Sequence, residues 1–259
     1  MQYFLSLSLW DGLFFASLVL VLPSFVIVFG VRYIIRNHLT KQHERVGRLL
    51  FRVTASLLAL LVSLSYANEA INYNKVKGSL EEEASLIAGV VIKLALHRSN
   101  EAEMIREGLL KYVNYTIEDD WQHMVSNPYQ TKMMGVMVNI NTFARTLPSD
   151  TELKRILKTE IIQDMDMITK TMQIRFYSTN FRLPYLTYIT ALGLVISWCF
   201  FAVYQLDGIS VAFLSIYNVF IAVILYFVIM LGNPLSGPLK IDPEPFNSLE
   251  QMGLETLPF

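Results

Sequence analysis

Polar side chains spaced along an otherwise apolar stretch are the residues of this chain best placed to do chemistry. At 100° per residue, Thr54, Ser65, Asn68 and Asn72 fall on one helical stripe, with Leu57, Leu58 and Leu61 between them. Amides and hydroxyls at such positions can replace the water around a permeating ion, while an apolar ring gates by dewetting. The same groups also join helices inside a membrane. The stripe by itself serves either purpose. Asn218 and Ser197, set singly in other apolar stretches, read as packing contacts.

Acidic runs offer a second chemistry. Glu81, Glu82 and Glu83 could contact a calcium or magnesium ion, because hard cations take clustered carboxylates. A solvated helical face accounts for them as well, and for Glu118-Asp119-Asp120, Asp164 and Asp166, so the metal stays unknown. His97 and His123 have no ligand-spaced neighbours and read as surface or interface histidines. The one cysteine, Cys199, excludes a disulfide framework. HExxH, GxSxG, CxxC and a phosphate-cradling glycine loop are all missing from the sequence. No enzyme and no cofactor is expected.

The elements that carry these residues are apolar on a membrane scale. Residues 13–31, 53–67, 183–206 and 209–231 run without a charge. A bilayer core needs roughly 20 apolar residues in a helix. Three stretches meet that alone; the second does so if Leu49, Leu50 and Phe51 join it and Arg52 snorkels. Hydrophobic residues make up 53% and charged residues 17%, against about a quarter charged in soluble domains. A net charge of −1 argues against a nucleic-acid partner. The first ten residues hold no Lys or Arg, so a cleaved signal is not expected and the first span should stay.

The fold class expected is all-α: four transmembrane helices with a helical extramembrane insert between the second and third. Residues 1–67 hold two spans and a basic loop, 68–182 the insert, 183–232 a hairpin of spans, and 233–259 a Pro-rich tail. Pro23 should kink the first span. The second should continue beyond the membrane as one helix, with Leu86, Ile87, Val90, Val91 and Leu94 on an apolar face. Further helices fit 101–124, with Met104, Ile105, Leu109, Tyr112 and Val113 apolar, then 132–147 after a break at Asn127-Pro128. The last insert helix fits 151–177, capped by Ser149 or Asp150. The tail should be extended, not helical.

Orientation is balanced. The short first loop carries Arg32, Arg36, Lys41, Arg45, Arg48 and Arg52, which leans it towards the cytoplasm and the insert outwards. Lys75, Lys77, Lys170, Arg175, Arg182 and Lys240 flank the other side of the spans, so the counts are equal at six.

One string resembles a known family. His43-Glu44-Arg45-Val46-Gly47-Arg48-Leu49-Leu50-Phe51, entering a short span, is similar to the bestrophin-like membrane family of unknown function. So are Glu82-Glu83-Ala84 with Leu86, Tyr112, Asp120-Trp121, Arg175, and Arg182-Leu183. Asn233-Pro234-Leu235-Ser236-Gly237 and Pro243-Glu244-Pro245-Phe246 resemble its closing signature. The resemblance spans roughly 40–250. It implies kinship with bestrophins, which form pentameric ion channels of four-span subunits, with the second span around the pore and a cytoplasmic helical domain. The bestrophin neck motif and calcium clasp are not recognisable, so calcium gating is not carried over. The function expected is a homo-oligomeric, pentameric ion channel in the plasma membrane, with lipid, inorganic ions and its own copies as partners. The alternative is a non-conducting scaffold or sensor whose insert binds a protein.

Overall fold

The computed structural model describes residues 7–118, 127–177 and 185–251. Trp121, His123, Arg182 and Pro258 lie outside them. Among the described residues the chain is all-helical: α1 Leu9–Ile35, α2 Lys41–His97, α3 Asn100–Glu118, α4 Asn127–Ala144, α5 Glu152–Tyr177, α6 Tyr185–Phe201, α7 Gly208–Leu231 and α8 Glu244–Gln251. They form two compact units. The first comprises Met1–Tyr73, Phe181–Asn233 and Gly237–Leu239; the second comprises Asn74–Asn180, Pro234–Ser236 and Lys240–Phe259.

Among the described residues three helices are long and apolar enough to cross a membrane: α1, α2 and α7. Ser8 caps α1 by accepting from the Asp11 amide at 3.2 Å. Asp207 does the same for α7 through the Ser210 amide at 2.9 Å. Pro23 sits inside α1, which continues through it. As expected, α2 is one helix of 57 residues with no proline to interrupt it. In the third apolar stretch α6 ends at Phe201, before the expected end at 206. The Arg32 guanidinium takes the carbonyls of Ala202, Val203 and Tyr204 at 3.3, 3.0 and 2.5 Å and closes that end.

In the first unit α1 packs on α6 and α7. Val28, Leu58, Val62, Leu194, Trp198 and Leu214 are among the buried side chains of its core. One polar chain runs through it. Trp198 Nε1 donates to Asn218 Oδ1 at 2.7 Å, and Asn218 Nδ2 donates to Ser24 Oγ at 2.9 Å. Asn218 is thus a packing contact, as its sequence setting implies. Ser197 lies 3.4 Å from the Tyr217 hydroxyl.

In the second unit α4 packs on α3 and α5, and α8 packs on α3. Ile87, Val90, Val91 and Leu94 of α2 are buried with Ile105, Leu109 and Tyr112 of α3, while Met104 is exposed. Helix α4 starts at Asn127, not at 132, because a proline in the first turn forfeits only an amide that has no helical acceptor. Thr151, not Ser149 or Asp150, caps α5, its Oγ1 accepting from the Lys154 amide at 3.3 Å. The tail is not wholly extended. Pro243 accepts from the amides of Phe246 and Asn247 at 3.0 and 3.1 Å and opens α8. Prolines there stand where a helix start tolerates them.

Candidate functional site

The stripe on α2 divides. Leu58 and Ser65 are both 1% exposed, covered within the chain. Leu58 packs so closely on Gly193 that a Cβ there would lie 3.0 Å from its Cδ2. Leu57, Asn68 and Asn72 are exposed, and Thr54 and Leu61 are half-buried. The hydroxyls satisfy themselves locally: Thr54 donates to the Leu50 carbonyl and Ser65 to that of Leu61, both at 2.8 Å. The Asn68 amide donates to Glu69 at 3.3 Å. Of that stripe, Leu57, Asn68 and Asn72 stay uncovered, with Leu61 half-buried between them. The leucines precede the amides along it.

The acidic run also divides. Glu81 and Glu82 are exposed, while Glu83 is fully buried. Three carboxylates on successive helical residues point 100° apart, so they cannot converge on one ion from this run alone. Among the described residues no group of three His, Cys, Asp or Glu is placed to hold a metal. Glu83 turns instead to Arg175 of α5, whose Nη2 donates to Oε1 at 3.2 Å, with neither side chain exposed. The Tyr112 hydroxyl of α3 donates to the same Oε1 and accepts from Arg175 Nη2 at 2.6 Å. Phe176 and Phe246 flank the guanidinium at 5.3 and 5.6 Å.

This cluster lies in the second unit and is held by four helices. Burial raises the Glu83 carboxyl above its ordinary range; the Arg175 charge and the Tyr112 hydrogen bond pull it back by less. Burial likewise pushes the Tyr112 hydroxyl well up. Glu83 Oε2 has no hydrogen-bond partner among the described residues. The sequence reading missed the cluster, although a signal was present. Glu83 and Arg175 interrupt apolar helical stripes, between Leu80 and Ile87 on α2 and after Met165, Ile168 and Met172 on α5. A charge at a core position needs a partner at another core position.

His97 is another buried polar residue, and of the surface and interface readings the surface one is corrected. It is 1% exposed, with Nε2 donating to the Pro148 carbonyl and Nδ1 beside Ser99 Oγ, both at 3.0 Å. A carbonyl only accepts, so Nε2 carries the proton. The ring pins the α2–α3 turn to the turn before α5.

Most of the strings that carry the family resemblance now have structural reasons. Glu83, Tyr112, Arg175 and Phe246 come from separate motifs and meet in one cluster. In the closing signature, Gly237 adopts φ 86°, a region that favours glycine. Asn233 Nδ2 donates to the Ile229 carbonyl at 2.7 Å, finishing α7. At the entry string, Gly47 lets α2 close on Val203, whose Cγ2 would lie 2.8 Å from a Cβ there. Asp120-Trp121 and Arg182-Leu183 lie outside the described residues.

Comparison with curated proteins gives no match. Comparison with protein families matches the Bestrophin-like domain over residues 18–246. With membrane-length apolar helices in an all-helical chain and that match over most of its length, the protein is a member of the bestrophin-like family.

Proposed function

We propose that the chain is one subunit of a homo-oligomeric ion channel, a pentamer in the plasma membrane, with α2 around the axis. The observation that supports this is one stripe of α2: exposed Leu57 and half-buried Leu61 for the barrier, then exposed Asn68 and Asn72 at the mouth, with half-buried Thr54 below. Leu58 and Ser65 belong to the subunit's own packing. Four spans are proposed, since the 17 residues of α6 reach the lower end of what crosses a bilayer. The basic α1–α2 loop is proposed to face the cytoplasm and the helical insert the outside. The protein acts by passing inorganic ions, without enzymatic turnover.

Current through reconstituted bilayers tests this. Leu57→Ser and Leu61→Ser should wet the apolar ring and raise leak current, and Asn68→Leu should lower conductance. Leu192→Ser, on an exposed position of α6, should leave current unchanged. Folded, oligomeric protein that passes no ion in wild type or in any variant would exclude the channel and favour the scaffold. Leak raised equally by Leu192→Ser would remove α2 from the pore.

A further inference from the structure

Lys41, Arg45, Arg48 and Arg52 follow one another at intervals of four, three and four, so they stand in a column on one face of α2. All four are exposed. Arg48 is steadied by Glu44 at 3.6 Å and by the Tyr204 ring at 5.3 Å. Arg32 is not part of the column, being spent on the carbonyls that end α6. One turn beyond Arg52 the same face becomes small and apolar. There a cleft of about 540 Å³ opens between α2 and α7, with Ala55, Ala59, Ser63 and Tyr66 on one wall and Phe220 and Ile224 on the other. That volume falls within the roughly 300–1,000 Å³ of small-molecule sites. The space exists because three of the α2 positions carry side chains no larger than serine.

We infer that this face binds one anionic membrane phospholipid, its phosphate on the arginine column and an acyl chain in the cleft. The two halves of the site call for one amphipathic occupant. A free anion would leave the cleft unused. A neighbouring apolar helix would fill the cleft but bring no anion to Lys41, Arg45 and Arg52 above it. Anionic headgroups are drawn to such basic clusters at a membrane surface, and Arg52, next to the apolar segment, stands at headgroup level. The stripe of Leu57, Leu61, Asn68 and Asn72 lies on the far side of the helix, about 180° away at 100° per residue. Lipid binding thus leaves that stripe free, and the inference stands without the channel reading.

Native mass spectrometry of the full chain in mild detergent tests it, with phosphatidylglycerol and phosphatidylcholine of matched acyl chains as probes. Wild type should retain phosphatidylglycerol at least tenfold better. Arg45→Gln and Arg52→Gln should each reduce that preference about fivefold, without changing retention of phosphatidylcholine. Ser63→Leu, and more strongly Ala59→Phe, should lower phosphatidylglycerol retention by filling the cleft with the arginines intact. Equal retention of the two lipids, or indifference to both arginine variants, would overturn the inference. So would displacement of phosphatidylglycerol by inorganic phosphate at comparable concentration, which would make the site one for a free anion. Efficient cross-linking of Ala59→Cys to a second copy, in a Cys199→Ala background in lipid, would make the cleft a subunit interface and equally overturn it.

Discussion

Glu83 and Arg175 show how much one buried pair can govern. Removing a single partner strands a charge without water, which costs about 3–5 kcal/mol. Arg175→Met should therefore destabilise the second unit by that amount, and Glu83→Gln with Arg175→Met should recover much of it. Chemical unfolding of the full chain in detergent reads both. The pair also sets a pH dependence. Because burial raises the folded carboxyl of Glu83, its contribution is complete below the unfolded value of about 4.3 and is lost as pH rises through the folded one. Acidifying from neutral should raise the melting temperature through this group, and Glu83→Gln should flatten that rise. A wild-type profile that Glu83→Gln leaves unaltered would show that the carboxyl titrates elsewhere.

Helices meet where the sequence removes bulk. A Cβ on Gly12 would lie 2.5 Å from the Tyr226 hydroxyl, so α1 and α7 approach only because position 12 has no side chain. Gly12→Val should cost about 1–3 kcal/mol by overpacking. Gly30→Val, facing open space on the same helix, is the comparison and should cost much less. Thermal melts of the two variants in one detergent separate a packing effect from a general effect of valine. The long α2 was legible because nothing in residues 41–97 breaks a helix. The end of α6 was not, since it depends on Arg32, some 170 residues earlier. The start of α8 was hidden for another reason: prolines were read as forbidding a helix where they open one.

For the whole molecule, the proposed assembly and orientation each make a measurement. Mass analysis in several mild detergents and in lipid discs should give five copies; a monomer throughout would end the oligomeric proposal. For orientation, single cysteines at Asn37 and Asn100 in a Cys199→Ala background should differ towards an impermeant thiol reagent. Labelling of position 100 but not 37 in intact cells is the outcome expected, and the converse would put the insert in the cytoplasm. These positions are exposed in the chain, so a silent site reports its side of the membrane.

By itself the sequence determined the apolar stretches, the unbroken α2, the all-helical class and the family. Each follows from local composition, periodicity or the order of short motifs, which the chain carries along its length. Tertiary structure decided which face of each helix is covered. It covered Leu58 and Ser65 of the α2 stripe, drew Glu83 away from Glu81 and Glu82, and brought Tyr112, Arg175 and Phe246 to it. Helical periodicity tells which residues share a face but not which partner that face meets. Burial is set by side chains arriving from far along the chain, and Glu83 and Arg175 stand 92 residues apart.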